Sequence, residues 1–431
     1  MMTSLFTGVS GMNAHMDELS VIGHNIANMN TYGFKGSRSY FADLLSQSLE
    51  GVSGPNQIGA GVEMNGVIRT FTQGAFETTA SPLDLALDGS GFFVMRGLDD
   101  ASYYSRFGGF QMDQDGYIVD PSGLQLQGYG VDAQGNLLSS LDSLQILRTT
   151  YPPQTTGNLG VAANLDSGSE WIDPATTPFD VNDLDGTTNF QTTVTVYDSL
   201  GNQRPVTMCF RKTDDLVTGN PWEWYAVIGE GDSLSGNAEI GGQGTLLFDT
   251  SGALASQSTT TNDFSFAGGA APNQVIAFDF GADTTSGGNG LDGVTQYAAN
   301  SGVSGLNQDG YGSGSLQGIA IDQSGTLTGS FDNGMTRTLG QIAVANFNSP
   351  SNLQSIGKNL FSESPGSGPV IVGSAGNQGM GLIRPSTLEL SNVDLATEFV
   401  KMITAQRGFQ ANSKVVTTSD EMLAELMTIK R

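Results

Sequence analysis

Apolar residues recur every seven positions at both ends of the chain. Sustained spacing of this kind predicts long helices, each packed along another helix through a narrow seam. We expect the C-terminal helix to run from roughly 393 to 428, about 54 Å, with Ser391 or Asn392 as its cap. The positions assigned to the helices are Leu5, Val9, Met12, Met16, Leu19, Ile26, Leu395, Phe399, Met402, Phe409, Val416 and Leu423.

The N-terminal helix contains three glycines, Gly8, Gly11 and Gly23. Each costs about 1 kcal/mol relative to alanine in a helix interior, so the segment is not expected to be stable unpaired in water. Two interpretations stay open. The two termini pair within one chain, or they pair with neighbouring copies in a polymer and become ordered only when those copies arrive.

Between the two ends, short runs of β-branched and aromatic residues alternate with turn signals. Such runs at 191–199, 222–229 and 274–280 predict antiparallel strands over most of the chain. Asp-Gly, Ser-Gly and Asn-Gly turns predict hairpins, and the segments concerned are 83–95, 106–123, 313–334 and 339–347. The predicted fold is mainly β with α-helical termini that form a coiled-coil core domain, plus two antiparallel β domains, the outer one inserted into the inner one.

Charge is distributed unevenly along the 431 residues, which carry 17 basic and 43 acidic side chains for a net charge of −26. Residues 156–304 hold three basic side chains against eighteen acidic ones, whereas the last 41 residues hold five of each. This asymmetry, with the patterns above, divides the chain into four predicted parts. They are a terminal helical polymerisation domain (1–28 with 391–431), a connecting segment (29–80), an inner β domain (81–155 with 305–390) and an outer acidic β domain (156–304).

The net charge also limits the partners. An acidic surface repels nucleic acid and anionic membranes, so we expect no nucleic-acid partner. No apolar run approaches the length of a membrane span, and membrane insertion is not expected either. The first twenty residues have no basic n-region and no continuous apolar core, so we expect no cleaved signal peptide.

The sequence contains no catalytic, cofactor-binding or metal-binding motif that we can identify. Its two histidines, His15 and His24, lie nine positions apart, and Cys209 lies in an apolar run typical of a small buried residue. Three Asp/Gly clusters, at 111–117, 180–186 and 307–312, lack the closing glutamate of a calcium loop and favour turns. We therefore expect neither an enzyme nor a bound cofactor or metal.

The segment NIANMNTYGFKGSR, residues 25–38, is polar and prone to turns, and it follows directly on the N-terminal helix. Together with that helix it resembles the N-terminal signature of the bacterial flagellar rod and hook family, with His24 where an asparagine is usual. Residues 392–423 resemble the C-terminal helix of that family, and residues 81–95 resemble its first β-domain motif. The positions that match the N-terminal motif are Asn25, Ile26, Ala27, Asn28, Asn30, Thr31, Gly33, Phe34 and Lys35.

The acidic insert points to the hook branch of this family, because residues 193–213 resemble its outer domain and residues 341–364 its return strands. The resemblance implies a structural subunit of a curved, flexible tube that transmits torque from rod to filament. In that tube the terminal helices form the inner layers, and the motif at 25–35 is an adjustable link. A distal rod subunit of the same family and a secreted β-rich adhesin or hydrolase remain as alternatives.

The resemblance also implies partners and a location. The partners are further copies of the chain, a distal rod protein, a hook cap and hook–filament junction proteins. The location is the flagellum outside the cell, reached by the flagellar type III export route.

Overall fold

The chain folds into two compact units. The computed structural model describes residues 2–44, 47–48, 57–97, 99–132, 135–146, 150–214 and 219–429. The second unit comprises Thr149–Gln317 and Phe331–Met335. The first unit comprises Met1–Arg148, Gly318–Ser330 and Thr336–Arg431. The chain therefore builds the second unit as an insertion in the first.

The long helices lie at the two ends of the chain. The helical elements of the described residues are α1 (Met2–Ala27), α2 (Leu184–Thr187), α3 (Leu395–Ile429) and a 3₁₀ helix (Pro350–Asn352). At about 1.5 Å per residue, α3 is about 52 Å long. Over the described ranges, none of these helices has both the length and the apolar character needed to cross a bilayer.

The start of α3 differs from the prediction. Asp394 Oδ1 accepts a hydrogen bond from Thr397 N at 2.7 Å, so Asp394 caps the helix. Hydrogen bonds from Thr397, first from its side chain and then from its backbone, hold the pKa of Asp394 below its usual value. Ser391 and Asn392 were the wrong choice because both precede the first turn, and Asn392 Oδ1 instead accepts a hydrogen bond from Gly36 N at 2.8 Å.

The remaining regular structure is β. In chain order, the strands of the described residues are β1 (Ser37–Asp43), β2 (Gln47–Ser48), β3 (Gln57–Ile58), β4 (Val62–Arg69), β5 (Phe76–Thr78), β6 (Leu85–Asp88), β7 (Phe92–Arg96), β8 (Ser102–Ser105), β9 (Gln111–Met112), β10 (Ile118–Val119), β11 (Gln125–Val131), β12 (Leu137–Ser143), β13 (Asn158–Asp166), β14 (Phe190–Tyr197), β15 (Gln203–Lys212), β16 (Pro221–Ile228), β17 (Glu239–Phe248), β18 (Leu254–Phe264), β19 (Gln274–Val275), β20 (Ala277–Asp279), β21 (Thr295–Tyr297), β22 (Gly302–Gln308), β23 (Leu316–Ile321), β24 (Thr326–Phe331), β25 (Thr336–Asn346), β26 (Gln354–Gly357), β27 (Leu360–Ser362), β28 (Ile371–Ser374), β29 (Leu382–Pro385) and β30 (Thr387–Glu389).

The first unit contains a large sheet with the strand order β23-β24-β25-β11-β7-β8-β27-β26, to which β9, β10, β12 and β28 attach. Four two-stranded pairs of described strands, β1–β4, β2–β3, β29–β6 and β30–β5, belong to the same unit. Aromatic edge-to-face contacts such as Phe92 with Phe347, 5.8 Å between ring centroids, hold one of its cores together. The buried residues of this core are Phe92, Val94, Tyr104, Ala343, Ala345, Phe347, Leu353 and Phe361.

Two of the four predicted hairpins are present. Strands β9 and β10 pair within 106–123, and β23 and β24 are neighbours within 313–334. The hairpin predicted at 83–95 is wrong, because β6 pairs with β29 while β7 pairs with β8, β11 and β25. The hairpin predicted at 339–347 is wrong as well, because this segment lies almost entirely in the single strand β25. Strands β6 and β7 are buried runs of apolar residues, and the pattern of such a run does not show which strand is its neighbour.

The second unit packs two sheets around an aromatic core. Strands β14 to β19 form an antiparallel meander in chain order, while β13 pairs parallel with β20 and β21 and antiparallel with β22. The two parallel pairings are exceptions to the predicted antiparallel arrangement.

The segment 274–280 divides into β19 and β20 around the fully buried Ile276. The largest core side chains are Trp222, Trp224, Phe210, Phe248, Phe264, Phe266 and Phe280.

The Cys209 thiol lies in this core, and we expect it to resist alkylation in the native protein. Its side chain is fully buried on β15, and burial raises the pKa of the thiol to about 12, so almost no thiolate is present at about pH 8. Iodoacetamide followed by intact mass analysis should leave the native chain unlabelled and label the single cysteine after unfolding in guanidinium. Fast labelling of the native chain would contradict this expectation.

Candidate assembly helices and their buried junction

Helices α1 and α3 pack against each other in opposite directions within the first unit. Near the start of α1, Ser4 Oγ lies 3.3 Å from Ser419 Oγ, which is close to the end of α3. Near the end of α1, Asn25 Nδ2 donates to Glu398 Oε2 at 3.2 Å, in the first turn of α3. The structure therefore contains the pairing of the two termini within one chain.

Small residues allow the two helices to approach closely. A Cβ placed on Gly8 would lie 2.9 Å from Val416 Cγ2, and one placed on Gly11 would lie 2.6 Å from Asn412 Nδ2. Real side chains do not approach so closely, so a side chain at either position would force the Val416 or Asn412 side chain to move at this separation of the helices. Gly23 differs, because a Cβ there would meet no atom of a described residue within 4 Å.

The stripe of α1 that contacts α3 has heptad spacing, but it is one residue out of phase with the predicted set. It includes Ser4, Gly8, Gly11, His15 and Asn25. The predicted residues Leu5, Val9, Met12, Leu19 and Ile26 flank this stripe and are half-buried, whereas Met16 is 54% exposed. On α3, Leu395, Met402, Phe409, Val416 and Leu423 are half-buried, whereas Phe399 is 47% exposed.

Many large apolar side chains of the paired helices remain exposed. A concentration of large exposed apolar side chains favours a protein interface, and it makes this helix pair a candidate assembly surface. The exposed residues are Phe6, Met16, Phe399, Val400, Ile403, Val415, Met422, Leu426 and Met427.

The family motif ends α1 and reverses the chain. Asn28 Nδ2 donates to His24 O at 2.9 Å, which satisfies one of the free carbonyls at the helix end. Thr31 N donates to Asn28 O at 3.1 Å to close the next turn. Asn30 is exposed, and Phe34 is buried with its ring 5.6 Å from the His24 ring.

Gly33 allows this turn to contact the β part of the first unit. Its φ of 67° lies in the left-handed region. A Cβ on Gly33 would lie 2.7 Å from the backbone carbon of Arg106 and from the nitrogen of Phe107. Backbone conformation and close packing therefore both require glycine at this position.

Two asparagines tie the motif to α3 and to the strands. Asn25 Oδ1 accepts from Ser37 N at 2.9 Å, while Asn25 Nδ2 donates to Ser37 O at 2.8 Å as well as to Glu398. Asn392 accepts from Gly36 N and donates to Thr70 O at 2.8 Å. The side-chain amides thus connect α1, β1, the residue after β4 and the start of α3.

Lys35 belongs to a buried ionic cluster. Its Nζ lies 2.6 Å from Glu389 Oε1 and donates to Thr72 O at 2.8 Å, and both ionic side chains are 0% exposed. Arg106 Nη1 lies 3.5 Å from Glu389 Oε2, and Arg106 Nη2 donates to Gly89 O at 2.7 Å. Burial lowers the pKa of Lys35 and of Arg106, and the Glu389 carboxylate opposes both shifts.

Sequence patterns did not identify Glu389, Arg106, Glu398 or Asn392 as parts of this junction. One signal was available for Glu389, which is a single acidic residue in the otherwise uncharged run 386–390. A lone charge in such a run indicates a buried partner. The identity of that partner could not be read, because Lys35 and Arg106 lie 354 and 283 positions away.

Four sequence-family models match the chain. The flagella basal body rod protein model matches residues 5–35, and the flagellar hook protein FlgE/F/G D1 domain model matches 86–164. The flagellar basal body protein FlaE D2 domain model matches 164–311, and the flagellar basal body rod FlgEFG protein C-terminal model matches 384–429. Both ends and the insert are therefore similar to flagellar proteins.

Curated proteins are similar to the chain over its whole length. The flagellar hook protein FlgE of Borreliella burgdorferi is 36% identical, with 100% of both chains covered. That of Treponema pallidum is 34% identical with 100% of both covered, and that of Escherichia coli is 33% identical with 98% of both covered. The crystal structure of Helicobacter pylori flagellar hook protein FlgE2 has a TM-score of 0.49 at 15% identity, covering 72% of this chain and 99% of its own. On the sequence identities and their coverage, the chain belongs to the flagellar hook protein family.

Proposed function

We propose that the protein is the structural subunit of a bacterial flagellar hook, a curved and flexible tube that assembles from copies of the chain. The observation that carries this proposal is the set of exposed apolar side chains on α1 and α3, among them Phe6, Phe399 and Val400. Burying this apolar surface against neighbouring copies lowers the free energy relative to a monomer that leaves it in water. The near-neutral charge of residues 391–431 allows copies to approach without mutual repulsion.

We infer that different parts of the chain have different roles in the tube. Residues 1–28 with 391–431 polymerise, residues 29–80 connect, and the inner and outer β domains occupy 81–155 with 305–390 and 156–304. In this proposal the junction around Asn25, Lys35 and Glu389 passes force from the helices to the β part of the first unit. Support comes from its hydrogen bonds and buried charges, which a loose link would not need.

The role we propose is mechanical and not catalytic. The tube transmits torque from the rod to the filament, and the partners are further copies of the chain, a distal rod protein, a hook cap and hook–filament junction proteins. The proposed location is the flagellum outside the cell, with export by the flagellar type III route. These finer statements rest on membership of the family.

Electron microscopy of purified full-length protein, concentrated alone and with short hook fragments as seeds, tests the proposal. We expect curved hollow tubes from the full chain and none from a chain lacking residues 391–431. A chain ending at residue 429 serves as the control and should assemble. Trp171, Trp222 and Trp224 all lie in the second unit, so unchanged tryptophan fluorescence would show that the truncated chain still folds there.

Two outcomes would overturn the proposal. Straight, rigid tubes would indicate a distal rod subunit of the same family. A full chain that stays monomeric even in the presence of seeds would contradict self-assembly.

A further inference from the structure

A cavity with a volume of about 360 Å³ lies in the first unit beside the family motif. The end of α1, the turn after β10 and the β26–β27 hairpin form its walls. The residues that decide its chemistry are His24, Arg69, Asp120, Lys358, Asn359 and Phe361. Basic side chains outnumber acidic ones here, in a chain whose acidic residues outnumber its basic ones by more than two to one.

Arg69 is a half-buried cation without an anionic partner among the described residues. Its guanidinium carbon lies 5.0 Å above the centre of the Phe361 ring, and its Nε is buried without a hydrogen bond. Among the residues that the structure describes, none forms an ion pair with it. Burial lowers the pKa of Arg69. Arg106, a buried arginine of the same unit, has the Glu389 carboxylate as its partner.

Lys358 is held at the rim of the same cavity. It occupies the β26–β27 turn together with Asn359, with φ values of 52° and 59° that are typical of a type I′ turn. Asn359 Nδ2 donates to Tyr32 O at 3.0 Å and fixes this turn against the segment after α1. The exposed Lys358 ammonium makes no hydrogen bond or ion pair within the described part of the chain.

The other charged groups at the cavity offset this positive charge only in part. Asp120 Oδ1 accepts from Ser122 N at 2.8 Å and from Leu124 N at 2.9 Å, and Asp120 forms no ion pair with a described cation. Lys35 also borders the cavity, but Glu389 neutralises it. The carbonyls at the end of α1 partly offset the positive charge, as does the Asp120 carboxylate.

We propose that this cavity receives an aspartate or glutamate side chain from a second copy of the chain in the assembled tube. A carboxylate fits the planar fork of Arg69, and Lys358 supplies a second cation at the entrance. Charge complementarity favours a second copy as the source, because every neighbour in a homopolymer presents a strongly acidic surface. This inference rests on the proposed function, since it places the contact between polymerised subunits.

Zero-length cross-linking in assembled tubes tests the contact. Tubes grown from an equal mixture of unlabelled and ¹⁵N-labelled chains are treated with a carbodiimide, which joins a lysine to a carboxylate in direct contact. We expect peptides that link Lys358 to an aspartate or glutamate and carry one light half and one heavy half. Replacing Arg69 with glutamine should lower the yield of this link several-fold, because the carboxylate loses its main partner.

A second measurement keeps the test independent of the cross-linking chemistry. Tubes of Lys358→Gln and of Arg69→Gln should leave more subunit unassembled than unmodified tubes at low salt, and this difference should shrink as salt is added, because salt screens the ionic contact that only the unmodified tubes contain. Arg384→Gln is the matched control, since it removes an exposed positive charge of the same unit that already pairs with Asp88.

The outcomes separate this inference from the proposed function. Tubes that form normally, without a link from Lys358 to another copy and with unchanged salt sensitivity in both variants, would overturn the inference alone. Links only within one chain would overturn it as well. Absence of tubes from the unmodified chain would overturn the proposed function, and this inference with it.

Discussion

Replacing Glu389 with glutamine should destabilise the first unit by about 3–5 kcal/mol, the usual cost of removing one partner from a buried ion pair. Glu389 is the only acidic partner of Lys35 and Arg106 among the described residues, and all three side chains are almost completely buried. The variant would leave two desolvated cations without a counter-ion. A glutamine oxygen can still accept hydrogen bonds from Gln73 and Gly74. The loss of stability therefore measures the effect of removing the negative charge at residue 389.

Amide exchange of peptides from β6 and β7 provides the measurement, because these strands lie in the first unit. A loss of this size corresponds to exchange faster by about a hundredfold or more. Tryptophan fluorescence should not change, since all three tryptophans lie in the second unit. The two readouts therefore distinguish damage to one unit from damage to the whole chain.

Two further variants make this prediction specific. Asp88→Asn breaks the surface ion pair of Asp88, 40% exposed, with Arg384, 53% exposed. This variant should lower the free energy of unfolding by less than about 1 kcal/mol. Adding Lys35→Met to Glu389→Gln should recover part of the stability, because one uncompensated charge is then absent. An effect of Glu389→Gln no larger than that of Asp88→Asn would contradict the proposed importance of the cluster.

The sequence was informative wherever a local pattern decides the structure. Seven-residue spacing predicted both terminal helices, and turn residues predicted the hairpins that contain β9–β10 and β23–β24. The sequence did not predict the pairing at 83–95. The partners of a strand buried on both faces can lie far away along the chain, and no local pattern records them. The same limit hid the Lys35–Glu389 pair, whose members are 354 positions apart.

The phase of the α1 seam shows a second limit. We assigned the seam to large apolar residues such as Met12 and Met16, because such residues normally fill the space between helices. In the structure, glycines and other small residues form the contact, and the large ones flank it or face outward. The spacing was informative, but the choice between two adjacent stripes depended on how close the helices come, which composition does not fix.

Replacing Gly11 with alanine should weaken assembly, although alanine favours the helix itself by about 1 kcal/mol. The new Cβ would lie 2.6–2.9 Å from the side-chain atoms of Asn412, and overpacking of this kind typically costs about 1–3 kcal/mol. We expect the concentration of subunit that remains unassembled to rise by about tenfold. Sedimentation of seeded tubes, followed by assay of the supernatant, measures this concentration.

Gly23→Ala on the same helix is the matched control, because it brings the same gain in helix propensity into open space. It should leave the unassembled concentration unchanged or lower it. Adding Asn412→Ala to Gly11→Ala should restore assembly, since it removes the atoms that the new Cβ would meet. If Gly11→Ala behaved like Gly23→Ala, helix propensity and not close packing would govern this seam. Rescue by Asn412→Ala would instead show that assembly depends on contact between α1 and α3 at this residue pair, because the rescue adds no helix-forming residue to α1.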